Sequence, residues 1–154
     1  MSAKLAAEIH QNKPFAHPEE EALLNLVRTH EFLSQRQTGF FKQFQLTPTQ
    51  YNILRILRGA GKDGVTCSRA SERMVKADPD ITRLFDRLEA RKLLQRERSA
   101  QDRRVVVSRI TAEGLKLVDA IDEPLAELHK RCMGRIGRKK LAQLIEILES
   151  LREE

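Results

Sequence analysis

Apolar residues recur at helical spacing in several separate stretches of this chain. Over residues 19 to about 44 they return mostly every three or four positions, which predicts one long helix. A second helix is predicted for residues 48 to about 58, because glycines follow there. Thr47 and Gln50 mark its start, since they have the spacing of a capping box, in which each side chain binds the other residue's backbone N–H.

Two further helices are predicted between residues 66 and 89. Thr66 can cap a short helix that reaches about Val75, and this helix is expected to lie on the surface because it has few apolar residues. Asp78 followed by Pro79 is typical of a second helix start. One face of the helix that follows is apolar and is formed by Ile81, Leu84, Phe85 and Leu88. The opposite face is polar and contains Asp80, Thr82, Arg83, Asp86 and Arg87.

The pattern then changes to that of a β-hairpin with a charged tip. Polar residues 95–98 precede the tip at 99–104, and the β-branched run 105–107 follows it. Thr111 can cap the next helix, in which Pro124 predicts a bend. The inner face of that helix is formed by Leu115, Val118, Ile121, Leu125, Leu128 and Cys132. A last amphipathic helix contains Leu141, Leu144, Ile145, Leu148 and Leu151, and residues 1–18 are expected to form a partly ordered arm.

Composition restricts the class of protein. With 40% hydrophobic and 32% charged residues, the 154-residue chain is predicted to be globular and neither membrane-spanning nor disordered. Its formal net charge of +6 favours a polyanionic partner. Most of this excess lies between Thr66 and Ile110, where twelve basic residues against seven acidic ones leave +5. Stacking of bases on aromatic side chains is not expected, because the chain has no Trp, one Tyr and six Phe.

The chain contains little that is typical of metal, redox or catalytic chemistry. Cys67 and Cys132 are too few and too far apart for a disulfide framework or a paired-cysteine metal site, so a reducing, cytoplasmic location is expected. Both are interpreted as packing residues, with redox sensing at Cys67 as the alternative. The four histidines lack zinc-ligand spacing, so neither a metal nor a cofactor is expected. Because no nucleophile elbow, phosphate-binding loop or dinucleotide motif occurs, no enzyme is predicted.

The predicted order of helix, helix, short helix, capped helix and basic hairpin is that of a winged helix-turn-helix. In this arrangement the second helix of the motif enters the major groove of DNA. Three segments also resemble the MarR family of bacterial winged-helix transcriptional regulators. They are residues 46–51 (LTPTQY), 79–89 (PDITRLFDRLE) and 102–114 (DRRVVVSRITAEG), and the resemblance covers about residues 46–117.

The resemblance implies a mainly α fold with a small β-hairpin wing. The DNA-binding lobe would occupy residues 46–111, and residues 19–45 and 112–154 would form helical dimerisation regions beside the arm at 1–18. A homodimer on a pseudo-palindromic double-stranded DNA operator is implied, with half-sites roughly 34 Å apart. The expected function is a repressor relieved by a small aromatic or anionic effector, and the expected effector site contains His30, Tyr51 and Arg55. The alternative is a non-specific or architectural DNA-binding protein without a dedicated effector.

Candidate DNA-binding residues lie in the 79–89 helix, in the wing and at two helix starts. Thr82 and Arg83 are expected to reach base edges, since arginine can bond bidentately to guanine, and ordinary solvation is the alternative. In the wing, the resemblance assigns Arg104 to the minor groove, Asp102 to holding it and Arg103 to a phosphate, and a solvated hairpin tip is the alternative for all three. The remaining candidates, for which capping, a surface position or pairing with nearby carboxylates is the alternative, are Thr49, Gln50, Ser68, Arg69, Arg73, Pro79 and Arg87.

Two positions depart from the family pattern. Asp80 stands where the family more often has a small hydroxyl residue. Its carboxylate can accept a hydrogen bond from a cytosine amino group or be stabilised by the helix dipole, and both alternatives stay open. Ser108 and Arg109 stand where the family usually has an apolar residue followed by a polar one. This difference predicts a second wing strand that is less well buried.

Overall fold

The computed structural model describes residues 4–99 and 102–153, and its fold is mainly helical with one small hairpin. The helices are α1 (Lys4–Glu8), α2 (Pro18–Lys42), α3 (Pro48–Ala60), α4 (Cys67–Glu72), α5 (Ile81–Ala90), α6 (Ala112–Met133) and α7 (Arg138–Ser150). The strands β1 (Leu94–Arg98) and β2 (Val106–Ile110) pair antiparallel. Short 3-10 turns follow α3 and α6, at Gly61–Asp63 and Gly134–Ile136. The predicted fold class is confirmed, and the chain divides after Gln45 into two compact units.

Three helix starts follow from local hydrogen bonds that the sequence predicts. Thr47 and Gln50 form the complete capping box: the Thr47 hydroxyl accepts from the Gln50 N–H at 3.1 Å, and the Gln50 amide oxygen accepts from the Thr47 N–H at 2.9 Å. Thr66 and Thr111 accept in the same way from backbone N–H groups three residues later. These bonds satisfy donors that a helix start leaves without intrahelical partners, so α3, α4 and α6 begin where predicted.

The region between α4 and α5 differs from the prediction. Helix α4 ends at Glu72 rather than near Val75, whose backbone N–H is bound instead by the Asn52 side chain at 3.0 Å. Helix α5 begins at Ile81, and Asp80 is its N-cap residue. The Asp78 carboxylate accepts from the Asp80 N–H at 2.9 Å, which forms a turn before the helix rather than a cap on it.

Helices α3, α5 and α6 and strand β1 supply the core of the second unit. Its largest fully buried side chains include Ile53, Leu54, Leu57, Phe85, Leu88, Leu94, Val118 and Ile121. The predicted apolar face of α5 therefore packs inward at Leu84, Phe85 and Leu88, and Ile81 is half-buried. Burial of each such side chain contributes on the order of 1.5–3 kcal/mol, which holds the opposite, polar face of α5 toward solvent.

The second wing strand is buried at its centre, so the prediction of poor burial is wrong at Ser108. Ser108 is 1% exposed, and its backbone exchanges two hydrogen bonds with Val65, at 3.0 and 2.9 Å. Gly64, at φ 68°, makes this approach possible, because a Cβ there would lie 2.6 Å from the Ser108 carbonyl oxygen.

Helix α6 continues through Pro124, with Val118, Ile121, Leu125 and Leu128 buried along one face. Of the other predicted inner residues, Leu115 is exposed and Cys132 is half-buried. No residue of α7 is fully buried. In the first unit, α1 forms part of the predicted arm and buries Leu5. Across residues 4–99 and 102–153, no helix is long and apolar enough to cross a membrane.

Candidate nucleic-acid interface

Helix α5 presents a polar face formed by the residues predicted to contact DNA. Thr82, Arg83 and Arg87 are exposed there, while Phe85 and Leu88 lie in the core. Because side chains three or four positions apart share one face of a helix, Arg83 and Arg87 lie on the same exposed surface. This surface can present two guanidinium groups to a groove or to phosphates.

Asp80 and Arg83 form an ion pair at the start of α5. Their closest atoms, Asp80 Oδ2 and Arg83 Nη1, are 3.3 Å apart, and both side chains are more than half exposed. Asp80 makes no side-chain cap bond to the helix backbone. The carboxylate and the guanidinium therefore present acceptor and donor groups side by side, next to the exposed Pro79.

Arg96 on β1 connects the wing to α5. Its Nε donates to Glu89 Oε2 at 2.8 Å, its Nη2 donates to the same oxygen, and its backbone N–H donates to Glu89 Oε1 at 3.1 Å. The same Nη2 donates to Asp86 Oδ1 at 2.6 Å. The hydrogen bonds from Arg96 hold the pKa of Glu89 below its ordinary value. Arg96 rather than Arg87 therefore pairs with these carboxylates, which corrects the expected pairing along α5.

Arg109 on β2 holds the other side of the wing. Its Nε donates to the Lys62 carbonyl oxygen at 2.6 Å, and its Nη1 donates to Glu97 Oε2 at 2.7 Å. Arg109 thus links β2 to the 3-10 turn after α3 and to the neighbouring strand. Together with Arg96, it fixes both strands of the wing to helical elements of the same lobe.

The wing tip carries the three charged residues predicted to contact DNA. Asp102, Arg103 and Arg104 are all exposed. Asp102 Oδ1 accepts from the Arg104 backbone N–H at 2.9 Å, so the acid orders the turn through the main chain. The resemblance assigned Asp102 to holding Arg104; this bond is to the Arg104 main chain, so the holding of its guanidinium stays a prediction. Residues 100 and 101 of the predicted tip lie outside the described residues.

The candidate residues at the starts of α3 and α4 differ in their exposure to solvent. Ser68 and Arg69 on α4 are exposed. Gln50 is 8% exposed and its amide oxygen is bound in the capping box, so its capping alternative is confirmed. Thr49 and Cys67 are half-buried at the starts of α3 and α4. The exposed α4 start is thus the more accessible of the two surfaces.

Tyr51 lies in a cluster that sequence reasoning did not predict. Its hydroxyl donates to Asp122 Oδ1 on α6 at 3.3 Å. Arg58 donates to both oxygens of the same carboxylate, at 2.7 and 3.1 Å, and to Asp119 at 2.9 Å. Burial, followed by the charge of Asp122, raises the pKa of Tyr51, and the Arg58 hydrogen bonds lower the pKa of Asp122.

The three residues predicted to bind an effector differ in burial and lie on two different helices. Tyr51 is buried and engaged with α6, Arg55 is exposed on α3, and His30 is exposed on α2 in the first unit. Arg58, Asp119 and Asp122 were missed because their partners are more than sixty positions away. One available signal was the three-residue spacing of the two aspartates, which puts both carboxylates on one face of a helix.

Comparison with known proteins supports this assembly of elements. The model of the MarR family matches residues 44–105. A crystal structure of a MarR transcription factor from Planctomyces limnophilus is 38% identical, with a TM-score of 0.69, and the alignment covers 88% of this chain and 98% of that one. The S. aureus MepR–DNA complex is 25% identical, with a TM-score of 0.74 and coverage of 90% and 97%.

A curated relative agrees with these structures. The HTH-type transcriptional regulator FarR of Neisseria gonorrhoeae is 27% identical over 128 residues, which cover 83% of this chain and 86% of that protein. These relatives are transcription regulators rather than enzymes, and their likeness extends well beyond the DNA-binding lobe. The chain has a winged helix with an exposed α5 face and a basic wing, and it is 38% identical in sequence to a MarR transcription factor. The chain therefore belongs to the MarR family and is a DNA-binding transcriptional regulator.

Proposed function

We propose that this protein is a homodimeric repressor that binds a pseudo-palindromic operator and is released by a small aromatic or anionic effector. The observation that carries the proposal is the α5 surface, where Thr82, Arg83 and Arg87 are exposed while Leu84, Phe85 and Leu88 anchor the helix in the core. A helix anchored in this way can enter a major groove without rearranging its core. The likeness to MepR in complex with DNA supports the same use of the surface.

Within this proposal, α5 contacts base edges in the major groove, and the wing contacts the adjacent minor groove and phosphate backbone. Arg83 bonds a guanine edge, and Thr82 contacts a neighbouring base. Arg104 enters the minor groove, where a narrow, electronegative channel attracts a cation, and Arg103 binds a phosphate. Ser68 and Arg69 at the α4 start and Arg87 on α5 contact the backbone and set the register of the lobe. The Arg96 bonds to Glu89 and Asp86 support this division, because they hold α5 and the wing in one orientation.

The homodimer is supported by exposed apolar residues on the terminal helices. Leu23, Leu26 and Val27 on α2 and Ile145 and Ile147 on α7 are between 42% and 61% exposed in the single chain. Exposed apolar residues that share one face of a helix, as Leu23, Leu26 and Val27 do, mark interaction sites. Two-fold pairing of two lobes presents two α5 helices to half-sites roughly 34 Å apart, which is one turn of DNA.

Release requires an effector that binds the two dimer arrangements with different affinity. Tyr51 and Arg55 on α3 and His30 on α2 are the proposed contacts. Tyr51 supplies an aromatic ring and a hydroxyl, and Arg55 supplies a cation, which suit an aromatic or anionic ligand. The bonds between Arg58 and Asp122 support this step, because they join α3 of the DNA-binding lobe to α6.

Fluorescence anisotropy tests the proposal with the DNA upstream of the protein's own coding sequence and a scrambled fragment of equal length. Each fragment is titrated at two salt concentrations. A preference for the upstream DNA that persists at higher salt is expected, because base contacts depend less on counterion release than phosphate contacts do. Equal, salt-sensitive binding to both fragments would favour the non-specific or architectural alternative. Absence of binding to either fragment would contradict the assignment of α5 and the wing.

A further inference from the structure

The turn between α6 and α7 carries a concentration of positive charge that DNA binding by α5 and the wing does not use. Residues 128–145 contain six basic residues and no acidic ones. We call this set the basic turn, and its members are Lys130, Arg131, Arg135, Arg138, Lys139 and Lys140. All six are exposed. Among the ion pairs of residues 4–99 and 102–153, only that of Lys130 with Glu127 involves this set.

No acidic residue in the first turn of α7 balances this positive charge. Arg138, Lys139 and Lys140 occupy its first turn, which contains no acidic residue, and Gly137 provides no side-chain cap. The start of a helix carries partial positive charge, so cations there destabilise it and a carboxylate would stabilise it. Helix α6 has 22 residues and is therefore about 33 Å long, which separates the basic turn from the wing at its other end.

A matching negative charge stands at the start of α2. Glu19, Glu20 and Glu21 fill its first turn, and residues 14–27 contain no Lys or Arg. The ion pairs of the described residues include none of these three carboxylates. Apolar residues that remain exposed in the single chain follow both charged starts: Leu23, Leu26 and Val27 on α2, and Ile145, Ile147 and Leu151 after the start of α7.

We propose that Glu19, Glu20 and Glu21 of one protomer pair with Arg138, Lys139 and Lys140 of the partner subunit. This inference rests on the homodimer of the proposed function and names the residues that align it. Start-to-start pairing places Leu23, Leu26 and Val27, which share one face of α2, beside Ile147 and Leu151, which share one face at the end of α7, so the same arrangement covers both faces. Charge thereby selects one alignment of two helices whose apolar surfaces alone would tolerate several.

A second copy is the occupant that the observations favour. The opposite charges are carried by the same chain, so a two-fold arrangement can place each of them against its complement on the partner subunit, twice in every dimer. A two-fold axis also uses each pair twice, which doubles the effect of a weak exposed ion pair. A separate acidic partner would leave Glu19, Glu20 and Glu21 without a counter-charge.

Charge reversal in two differently tagged, co-expressed chains tests the pairing. One variant carries Glu19→Lys, Glu20→Lys and Glu21→Lys, and the other carries Arg138→Glu, Lys139→Glu and Lys140→Glu. If the pairs cross between subunits, each variant repels itself but complements the other. Native mass spectrometry should then find that heterodimers rise from the statistical half to about four fifths or more of all dimers. The excess should fall at high salt, because exposed charges are screened.

Tagged and untagged wild-type chains, co-expressed in the same way, provide the control and should give the statistical half. A chain with all six substitutions should dimerise like the wild type, which guards against loss of folding in the triple variants. Heterodimers at the statistical half would overturn the inference. If the wild type is a dimer in that case, the homodimer of the proposed function still stands. A monomeric wild type would overturn both.

The same variants separate the pairing from a second DNA-binding surface. Operator binding by the six-substitution chain should match the wild type in affinity and in salt dependence, because the basic turn lies outside the proposed DNA contacts. If the Arg138→Glu, Lys139→Glu, Lys140→Glu chain instead loses DNA affinity and shows no heterodimer preference, the basic turn binds a nucleic-acid backbone and the subunit pairing is wrong.

Discussion

Arg58 and Asp122 form a two-point ion pair that joins α3 to α6. Arg58 Nη1 donates to Asp122 Oδ2 at 2.7 Å, and Nη2 donates to Oδ1 at 3.1 Å. The hydroxyl of Tyr51 donates to the same carboxylate. The residues lie 64 positions apart in the chain, so the pair fixes a tertiary relationship. A shift of α6 against α3 has to break or exchange these bonds, which makes the pair a physical link between the DNA-binding lobe and the C-terminal helices.

A double-mutant cycle should detect this link. Arg58→Ala and Asp122→Ala are expected to couple by about 0.5–1 kcal/mol in the free energy of unfolding, a value kept low because Asp122 is 48% exposed and solvent screens it. Urea denaturation of the four proteins measures it. The matched cycle uses Asp119, which accepts one bond and is 66% exposed, and it should give a smaller coupling. Equal coupling in the two cycles would contradict the two-point geometry.

Arg96→Ala should weaken the protein more than the loss of a neighbouring surface arginine. The change leaves Asp86 and Glu89 without their shared cation and removes three side-chain hydrogen bonds, so a loss of about 1–2 kcal/mol is expected. Arg98→Ala, in the same strand but exposed, is the control and should change stability by less than about 0.5 kcal/mol. Thermal or urea unfolding measures the stability of both variants. Identical midpoints would show that the Arg96 bonds to Asp86 and Glu89 do not hold the wing against α5.

Alanine substitutions at Gly64 and Gly61 test how closely strand β2 packs against the Gly64–Val65 segment. Both have positive φ, at 68° and 57°, in backbone regions that residues with a Cβ rarely adopt, so alanine strains the backbone at each site by about 1–3 kcal/mol. Only Gly64→Ala also places a Cβ 2.6 Å from Ser108 O and Val107 Cγ1. It should therefore cost about 1–3 kcal/mol more than Gly61→Ala in the free energy of unfolding. Equal losses would mean that the Val65–Ser108 bridge can open without cost.

Arg83→Ala and Arg103→Ala should affect DNA binding in different ways. The first is expected to relax base preference at one position of each half-site, with a loss of about 1–3 kcal/mol for the preferred base. The second should weaken binding to all sequences alike and reduce the salt slope by about 1. Anisotropy titrations with operators that carry single base-pair changes, at several salt concentrations, measure both effects. If Arg83→Ala lowers affinity equally for every base pair, Arg83 is a backbone contact.

Acid should weaken the protein through Asp122. The Arg58 hydrogen bonds hold its pKa in the folded state below the ordinary value of 3.8, so the unfolded chain binds the proton more readily. The stabilisation is present above about pH 5 and is lost as the pH falls through the lowered pKa. Asp122→Asn should therefore lose less unfolding free energy than the wild type between about pH 5 and pH 3, as measured by urea denaturation. An equal loss would show that other carboxylates account for the acid sensitivity.

Features that depend on neighbouring residues could be predicted from the sequence alone. Thr47, Thr66 and Thr111 cap helices because each cap needs only a hydroxyl and a backbone N–H three residues later. The apolar face of α5 follows from helical periodicity, and its burial leaves Arg83 on the exposed side. The resemblance to the MarR family, now confirmed, rests on the same local segments.

Local rules failed where two of them competed. Asp78 and Pro79 form a pattern that is typical of a helix start, but the Asp78 carboxylate bonds to the Asp80 N–H and α5 begins later. Glu89 stands two positions from Arg87 and seven from Arg96, and it pairs with the more distant arginine. A residue two positions along a helix faces away, whereas the turn after α5 returns Arg96 to the Glu89 side.

The chain by itself thus determined its helices, its hairpin, its caps and the polar face of α5, since each depends on residues within a few positions of one another. Only the tertiary structure decided that Ser108 lies buried against Val65, that Arg96 joins the wing to α5, and that Asp122 receives Arg58 and Tyr51. These contacts join segments that are distant in sequence. Their partners are chosen by how the buried faces of α3, α5 and α6 pack, and no local pattern of residues encodes that packing.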